Sequence, residues 1–179
     1  GNGCNGDDDF GISDLGRAFV ERMDALGLVH DVSHLSDGAL RRLLELTGAP
    51  VMASHSNCRA LLAGAEHPMM WQRHLADESI AEIGRRGGMV GINLYGKFLT
   101  VEKRRATVAD AVAHIERVCK VMERRDGVGL GSDMDGGFGA DEMCEGIERP
   151  ADLGRLAEAL SARGWRDAEV RGFTHLNWL

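Results

Sequence analysis

Apolar residues recur along this chain in two rhythms, short continuous runs and helical stripes, and the two alternate. The runs are Leu28 to Ser33, Val51-Met52-Ala53 after Pro50, Met89 to Leu94, and 127–132 (GVGLGS). Each is short and bounded by turn residues, as a buried strand is. Helical spacing fills the gaps. Leu40, Leu43, Leu44 and Leu46 follow the capping candidates Ser36 and Asp37, with Gly48 as the stop. Asp77 is placed to cap a helix carrying Ile80 and Ile83, stopped by Gly87-Gly88, and Thr107 opens the longest one, with Val108, Val112, Ile115, Val118 and Met122 on one face. His114 on that helix reads as a surface or half-buried residue. Ahead of the first strand, Ser13 or Asp14 caps a helix whose stripe Leu15, Phe19, Met23 and Leu26 is expected to be core. Two helices close the chain, one from about Pro150 to Arg163 and one starting near Asp167. Residues 56–76 break the rhythm, with a short helix possible over 57–65, and 67–77 (HPMMWQRHLAD) reads as an exposed loop.

Alternating strands and helices imply an α/β fold, a parallel sheet covered by helices. The pattern holds four βα units in a row in 179 residues, against roughly 250 residues for a complete (β/α)8 barrel. The expected architecture is half of a (β/α)8 barrel with a C-terminal helical extension, folded as one domain over residues 1–179. This topology gives two histidines a shared address. The first strand delivers His34 and the second delivers His55, and a βαβ unit makes those strands parallel neighbours. Both imidazoles then emerge at the same edge of the sheet, which in a barrel is the catalytic face.

Composition narrows the functions. The net charge is −7 with no basic block, which argues against nucleic acid, since phosphate binding needs clustered Lys and Arg. No run approaches the ~20 apolar residues of a membrane span, and no signal peptide is visible. Cys4, Cys58, Cys119 and Cys144 are scattered without CxxC pairing, which suggests reduced thiols and a cytoplasmic protein. The chain opens on Gly1 rather than Met, as an excised or truncated piece would.

Three candidate sites follow. Taken alone, His34 and His55 are either hydrogen-bonded strand-end residues or two ligands to one metal ion. Gly1, Gly3 and Gly6 satisfy GxGxxG literally, but no strand precedes them and the aspartates 7–9 would repel a phosphate. Asp133, in GSDMDGG, sits at the end of the fourth run; it is either a turn residue or a carboxylate on the same rim as the histidines. A calcium loop fails because its first ligand would be Gly131 and a strand-like run precedes it. A carboxylate beside two histidines suits a hydrolytic zinc centre, as a weak ligand or as a proton carrier.

The motifs LVHDVSH, APVMASHSNCRAL, RHLAD, GGMVGINL and VGLGSDMDGG, in this order and spacing, resemble the renal (membrane) dipeptidase family, zinc-dependent dipeptidases on a (β/α)8 barrel. The resemblance covers almost the whole chain, and it implies that this α/β chain is the C-terminal half of a (β/α)8 TIM barrel of the metal-dependent hydrolase type, with a C-terminal helical extension. It implies hydrolysis of a dipeptide's peptide bond at a centre of two Zn2+ ions. His34 and His55 would hold the second zinc, and Asp133 would carry the proton to the departing amine. Arg73, in RHLAD, would bind the substrate's C-terminal carboxylate, and Asn2 would contact substrate. The chain also departs from the family pattern. The N-terminal HxD pair and the glutamate bridging the two zincs are absent, so the fragment alone is expected to be inactive. His74 replaces the usual Asn after the arginine, and the preceding loop is longer. Residues 174–179 (THLNWL) resemble the closing G-G-N-x-L-R element without its arginine. Expected partners are a small dipeptide and no nucleic acid, with a homodimer left open. Another metal-dependent amidohydrolase on the same barrel, or a non-catalytic barrel fragment, would share many of these features.

Overall fold

The computed structural model describes residues 3–5, 11–64 and 69–179. Four strands, β1 (His30–Asp31), β2 (Val51–Ala53), β3 (Met89–Ile92) and β4 (Val128–Leu130), form a parallel sheet in the order β1-β2-β3-β4. Sequential order without reversal is that of a barrel arc, since doubly wound sheets reverse at a switch point. Val90 pairs with Val128, Gly91 with Gly129, and Ala53 with Val90. This register puts Ala53, Val90 and Val128 on one face, where they join the helix-packed core with Ile83, Ile115 and Val118. Met52, Met89, Gly91 and Gly129 fall on the opposite face.

The helices are α1 (Asp14–Ala25), α2 (Asp37–Leu46), α3 (Met69–Arg73), α4 (Asp77–Arg85), α5 (Val108–Met122), α6 (Gly154–Ala162) and α7 (Asp167–Thr174). Ser13 and Ser36 cap α1 and α2, their hydroxyls accepting from Gly16 N and Ala39 N. Asp77 lies one position inside α4 and pairs with Arg117 on α5, so Ala76 occupies the cap position. Pro150–Leu153 forms a separate 3-10 turn ahead of α6. The closing element protects one edge of the sheet. Asn177 Nδ2 donates to Val128 O at 2.9 Å and Trp178 Nε1 to Leu130 O at 3.2 Å, which occupies carbonyls that β3 leaves unpaired.

Three further expectations are corrected. The α1 stripe is not core: Leu15, Phe19 and Leu26 are 82%, 66% and 56% exposed, and Val20 is the buried residue. β1 is the edge strand, so among the described residues no further layer covers that side of α1. The segment around Arg73 is not an exposed loop, because α3 turns Arg73 and His74 inward to 6% and 1% exposure. His114 is fully buried: its Nδ1 accepts from Cys58 N at 3.0 Å and Nε2 lies 3.3 Å from Leu99 O. All four cysteines are free. Among the described residues no helix is long and apolar enough to cross a membrane.

Candidate active site

The loops after β1 and β2 bring two imidazoles into contact. His34, in the left-handed conformation at φ 69°, and His55 approach with Nε2 atoms 2.8 Å apart and ring centroids 4.9 Å apart. Two serines hold the loops in step, since His55 N donates to Ser33 Oγ at 3.0 Å and the Ser33 and Ser56 hydroxyls meet at 3.1 Å. Partial burial and the Arg73 charge depress the pKa of both histidines, although Asp133 and Asp31 pull the other way. Near neutral pH both rings are therefore uncharged, the state in which imidazole nitrogen can ligate a metal.

Asp133 follows β4 in a left-handed turn at φ 57°, closed by Gly136 N donating to Asp133 O at 3.0 Å. Its carboxylate is aimed by Asn93, whose Nδ2 donates to Oδ2 at 2.8 Å. Asn93 is locked in turn: its N–H donates to Asn57 Oδ1 at 3.0 Å, and Asn57 Nδ2 donates to Asn93 O and Phe98 O. Both asparagines are fully buried, so the carboxylate rests on a rigid chain of amides from β2 through β3.

Arg73 reaches the site from the end of α3. It donates to Ser56 Oγ at 3.2 Å and His55 O at 2.8 Å, and its guanidinium lies 5.2 Å from the Phe98 ring centroid. Burial lowers its pKa, with Asp133 and Asp31 among the opposing charges. Among the described residues no carboxylate forms an ion pair with it, an expensive state for a buried cation.

Arg73, His34 and Asp133 line one cavity of about 630 Å³, together with Asn5, Tyr95, Lys97, Phe98, Phe138 and Glu142. Tyr95 stacks on Phe138 at 4.4 Å and donates to Glu142 at 3.2 Å, while Lys97 pairs with Glu142 at 2.8 Å. The structure thus gathers His34, His55, Asp133 and Arg73; Asn2 lies outside the described residues. Sequence reasoning missed Asn57, Asn93 and the aromatic wall. The signal for the two asparagines was available, since each follows a strand on the edge that carries the histidines.

The donor set fits part of a metal centre. Two neutral imidazoles with converging Nε2 atoms need to separate by only about half an ångström to reach one ion at ~2.0–2.1 Å each. Among the described residues no third His, Cys, Asp or Glu joins them at ligating distance.

Comparison with known proteins identifies the family and the fold. The family model described as membrane dipeptidase, peptidase family M19, matches residues 2–179. A curated relative from Schizosaccharomyces pombe, described as an uncharacterized dipeptidase, is 31% identical over 172 residues, covering 96% of this chain and 39% of its own. A crystal structure of a dipeptidase of the same family superposes with a TM-score of 0.83 at 29% identity, over 99% of this chain and 49% of its own. A Rhodobacter sphaeroides metallopeptidase, solved with a phosphinate mimic of the dipeptide L-Ala-D-Ala, also has a TM-score of 0.83 and 29% identity, over 99% and 47%. The chain therefore spans about two-fifths of that curated relative and about half of the solved ones. These neighbours are TIM-barrel metallohydrolases, and the four-stranded arc is an arc of that barrel.

Proposed function

The chain belongs to the membrane dipeptidase family, and on that premise we propose that it forms the C-terminal half of a zinc dipeptidase with a binuclear centre. In this reading His34 and His55 hold one zinc ion, and the remaining metal ligands come from a preceding half of the same protein. The observation that carries it is the buried Arg73, which forms no ion pair with a carboxylate among the described residues, on one cavity with His34 and Asp133. A guanidinium there has donors to spare for a charge-assisted pair with a free α-carboxylate. The phosphinate mimic in the Rhodobacter sphaeroides relative supports a dipeptide-sized substrate.

Arg73 anchors the C-terminal carboxylate and so fixes how far the scissile bond lies from the histidine pair. The 2.8 Å bond from Asn93 holds the Asp133 carboxylate toward the cavity. Water adds to the peptide carbonyl, Asp133 takes its proton, and the C–N bond breaks as that proton passes to the amine nitrogen. Bound zinc would supply carbonyl polarisation and a lowered pKa for water.

Asp133→Asn in the full-length protein tests the role, because the amide keeps the shape and removes the proton acceptor. Turnover should fall ~10²–10⁴-fold with little change in substrate affinity. Asp135→Asn should be milder, since Asp135 is expected only to shape the turn at φ 62°. Unchanged turnover in Asp133→Asn rejects the assignment, and equal losses for both leave it unsupported.

A further inference from the structure

A second layer of residues stands behind the histidine pair. His55 Nδ1 lies 2.6 Å from Ser54 Oγ, and Ser54 Oγ lies 2.5 Å from Asp31 Oδ2. Asp31 Oδ1 accepts from two backbone donors, Ser33 N and Ser54 N, each at 3.0 Å. Ser54 itself is placed by glycines, because a Cβ at Gly91 or Gly131 would collide with its carbonyl. The three side chains form a continuous line from β1 to the ring that faces His34.

We propose that Asp31 and Ser54 are positioning residues that fix His55 as its Nδ1–H tautomer, leaving Nε2 as a bare lone pair turned toward His34. The argument is a count of protons. A serine hydroxyl has one hydrogen to give. Asp31 already takes three hydrogen bonds as an acceptor, two of them from backbone N–H groups that cannot act otherwise. Burial would raise the Asp31 pKa, but the bonds from Ser54 and Ser33 outweigh it and hold the carboxylate ionised. An ionised carboxylate accepts only, so the Ser54 hydrogen goes to Asp31 and Ser54 Oγ must accept from His55 Nδ1–H. The ring then has no proton at Nε2. In the 2.8 Å contact with His34 Nε2, His34 is the donor. The two histidines are thus unlike: His55 is preset with a bare Nε2, whereas His34 would have to shift its proton from Nε2 to Nδ1 before its own Nε2 could face a cation. Outer partners that set the tautomer and direction of a ligating imidazole are a general device of metal sites. The relevance to metal rests on the function proposed above, whereas the tautomer does not.

The test uses the full-length protein, freed of metal and carrying ¹⁵N-labelled histidine, read by long-range ¹H–¹⁵N correlation above pH 7. Free imidazole prefers the opposite, Nε2–H form, so a dominant Nδ1–H signal from His55 is a specific signature. Ser54→Ala should move His55 toward Nε2–H, and Ser54→Thr, which keeps the hydroxyl, should restore Nδ1–H. Asp31→Asn should reverse the line, because the amide can donate to Ser54 Oγ and free its hydrogen for His55 Nδ1. An Nε2–H His55 in the unmodified full-length protein overturns the proposal even if every variant fails to fold. So does an unchanged Nδ1–H signal in a folded Ser54→Ala. In the full-length protein, Zn2+ affinity measured by competition with a chelator should fall about 10- to 100-fold in Ser54→Ala and recover in Ser54→Thr. Loss of the tautomer with unaltered Zn2+ affinity would count against the histidines as ligands and leave the relay standing, so the two failures are distinguishable.

Discussion

His74 and His114 are both sealed from solvent, and they meet that condition differently. His114 has partners on both ring nitrogens, whereas among the described residues neither nitrogen of His74 has one, and its ring sits edge-on to Phe98 at 4.8 Å. Burial lowers the His114 pKa to about 4; burial, with the Arg73 charge second, lowers that of His74 to about 2. Both values lie below the ordinary 6.5. The unfolded chain therefore takes up protons below about pH 6.5 that the folded chain refuses, and stability falls as pH falls. The loss runs down to about pH 4 for His114 and about pH 2 for His74. Between pH 7.5 and 5 each histidine should remove roughly 2 kcal/mol, at about 1.4 kcal/mol per pH unit below the unfolded pKa. His74→Leu, close in volume and without unpaired nitrogens, should be neutral or stabilising at pH 7.5. It should shrink the pH 5 loss by that amount in urea unfolding; an unaltered pH slope would contradict the assignment. At this scale the sequence was partly legible. His34, His55 and Asp133 stood out because runs of apolar residues end beside them. The burial of His114 was legible too, since it shares a face with Ala111, Ile115 and Val118, but a polar ring among them was discounted. Arg73 and His74 were read as exposed because a short helix rich in Met, Gln and Arg carries no periodic signature strong enough to show which side faces inward.

Among the elements, strand and helix order was readable because the two periods differ and glycines punctuate them. The strands are shorter than their apolar runs: the Leu28–Ser33 run yields only His30–Asp31 as strand, since an edge strand pairs on one side alone. The α1 stripe misled for a different reason. Periodicity reports that a face is apolar, and burial depends on what packs against it. Glycines separate structural need from mere tolerance. A Cβ on Gly91 would strike the Ser54 carbonyl and come within 2.9 Å of the Trp178 ring. Gly154 sits in helical conformation at φ −55° with open space beside it. Gly91→Ala should therefore destabilise by about 1–3 kcal/mol through overpacking, and Gly154→Ala should stabilise by about 0.4–1 kcal/mol by restricting the unfolded chain. Denaturant midpoints of the two variants should move in opposite directions; a shift in the same direction would contradict the packing described for the sheet's open face.

For the whole molecule, the arc of four strands carries the histidines, Asp133 and Arg73 on one rim, and relatives about twice its length carry the same fold. Its two edges differ among the described residues. Asn177 and Trp178 cover β4, whereas β1 is flanked by exposed Leu28 and Val29. The parallel arc was legible from alternation alone; the covering of one edge by side chains of the final segment was not, because no periodic pattern encodes it. The central claim, that these residues form part of a dipeptidase site, stands most directly on the buried guanidinium. The measurement is the ratio of kcat/KM for a dipeptide and its C-terminal amide, in the full-length protein and in Arg73→Met. Each charge-assisted hydrogen bond to a carboxylate is worth ~1.5–3 kcal/mol, so the unmodified protein should favour the free dipeptide by well over tenfold. Arg73→Met should lose most of that preference by weakening the dipeptide alone. Equal cleavage of dipeptide and amide by the unmodified protein, or undiminished discrimination in Arg73→Met, would contradict it.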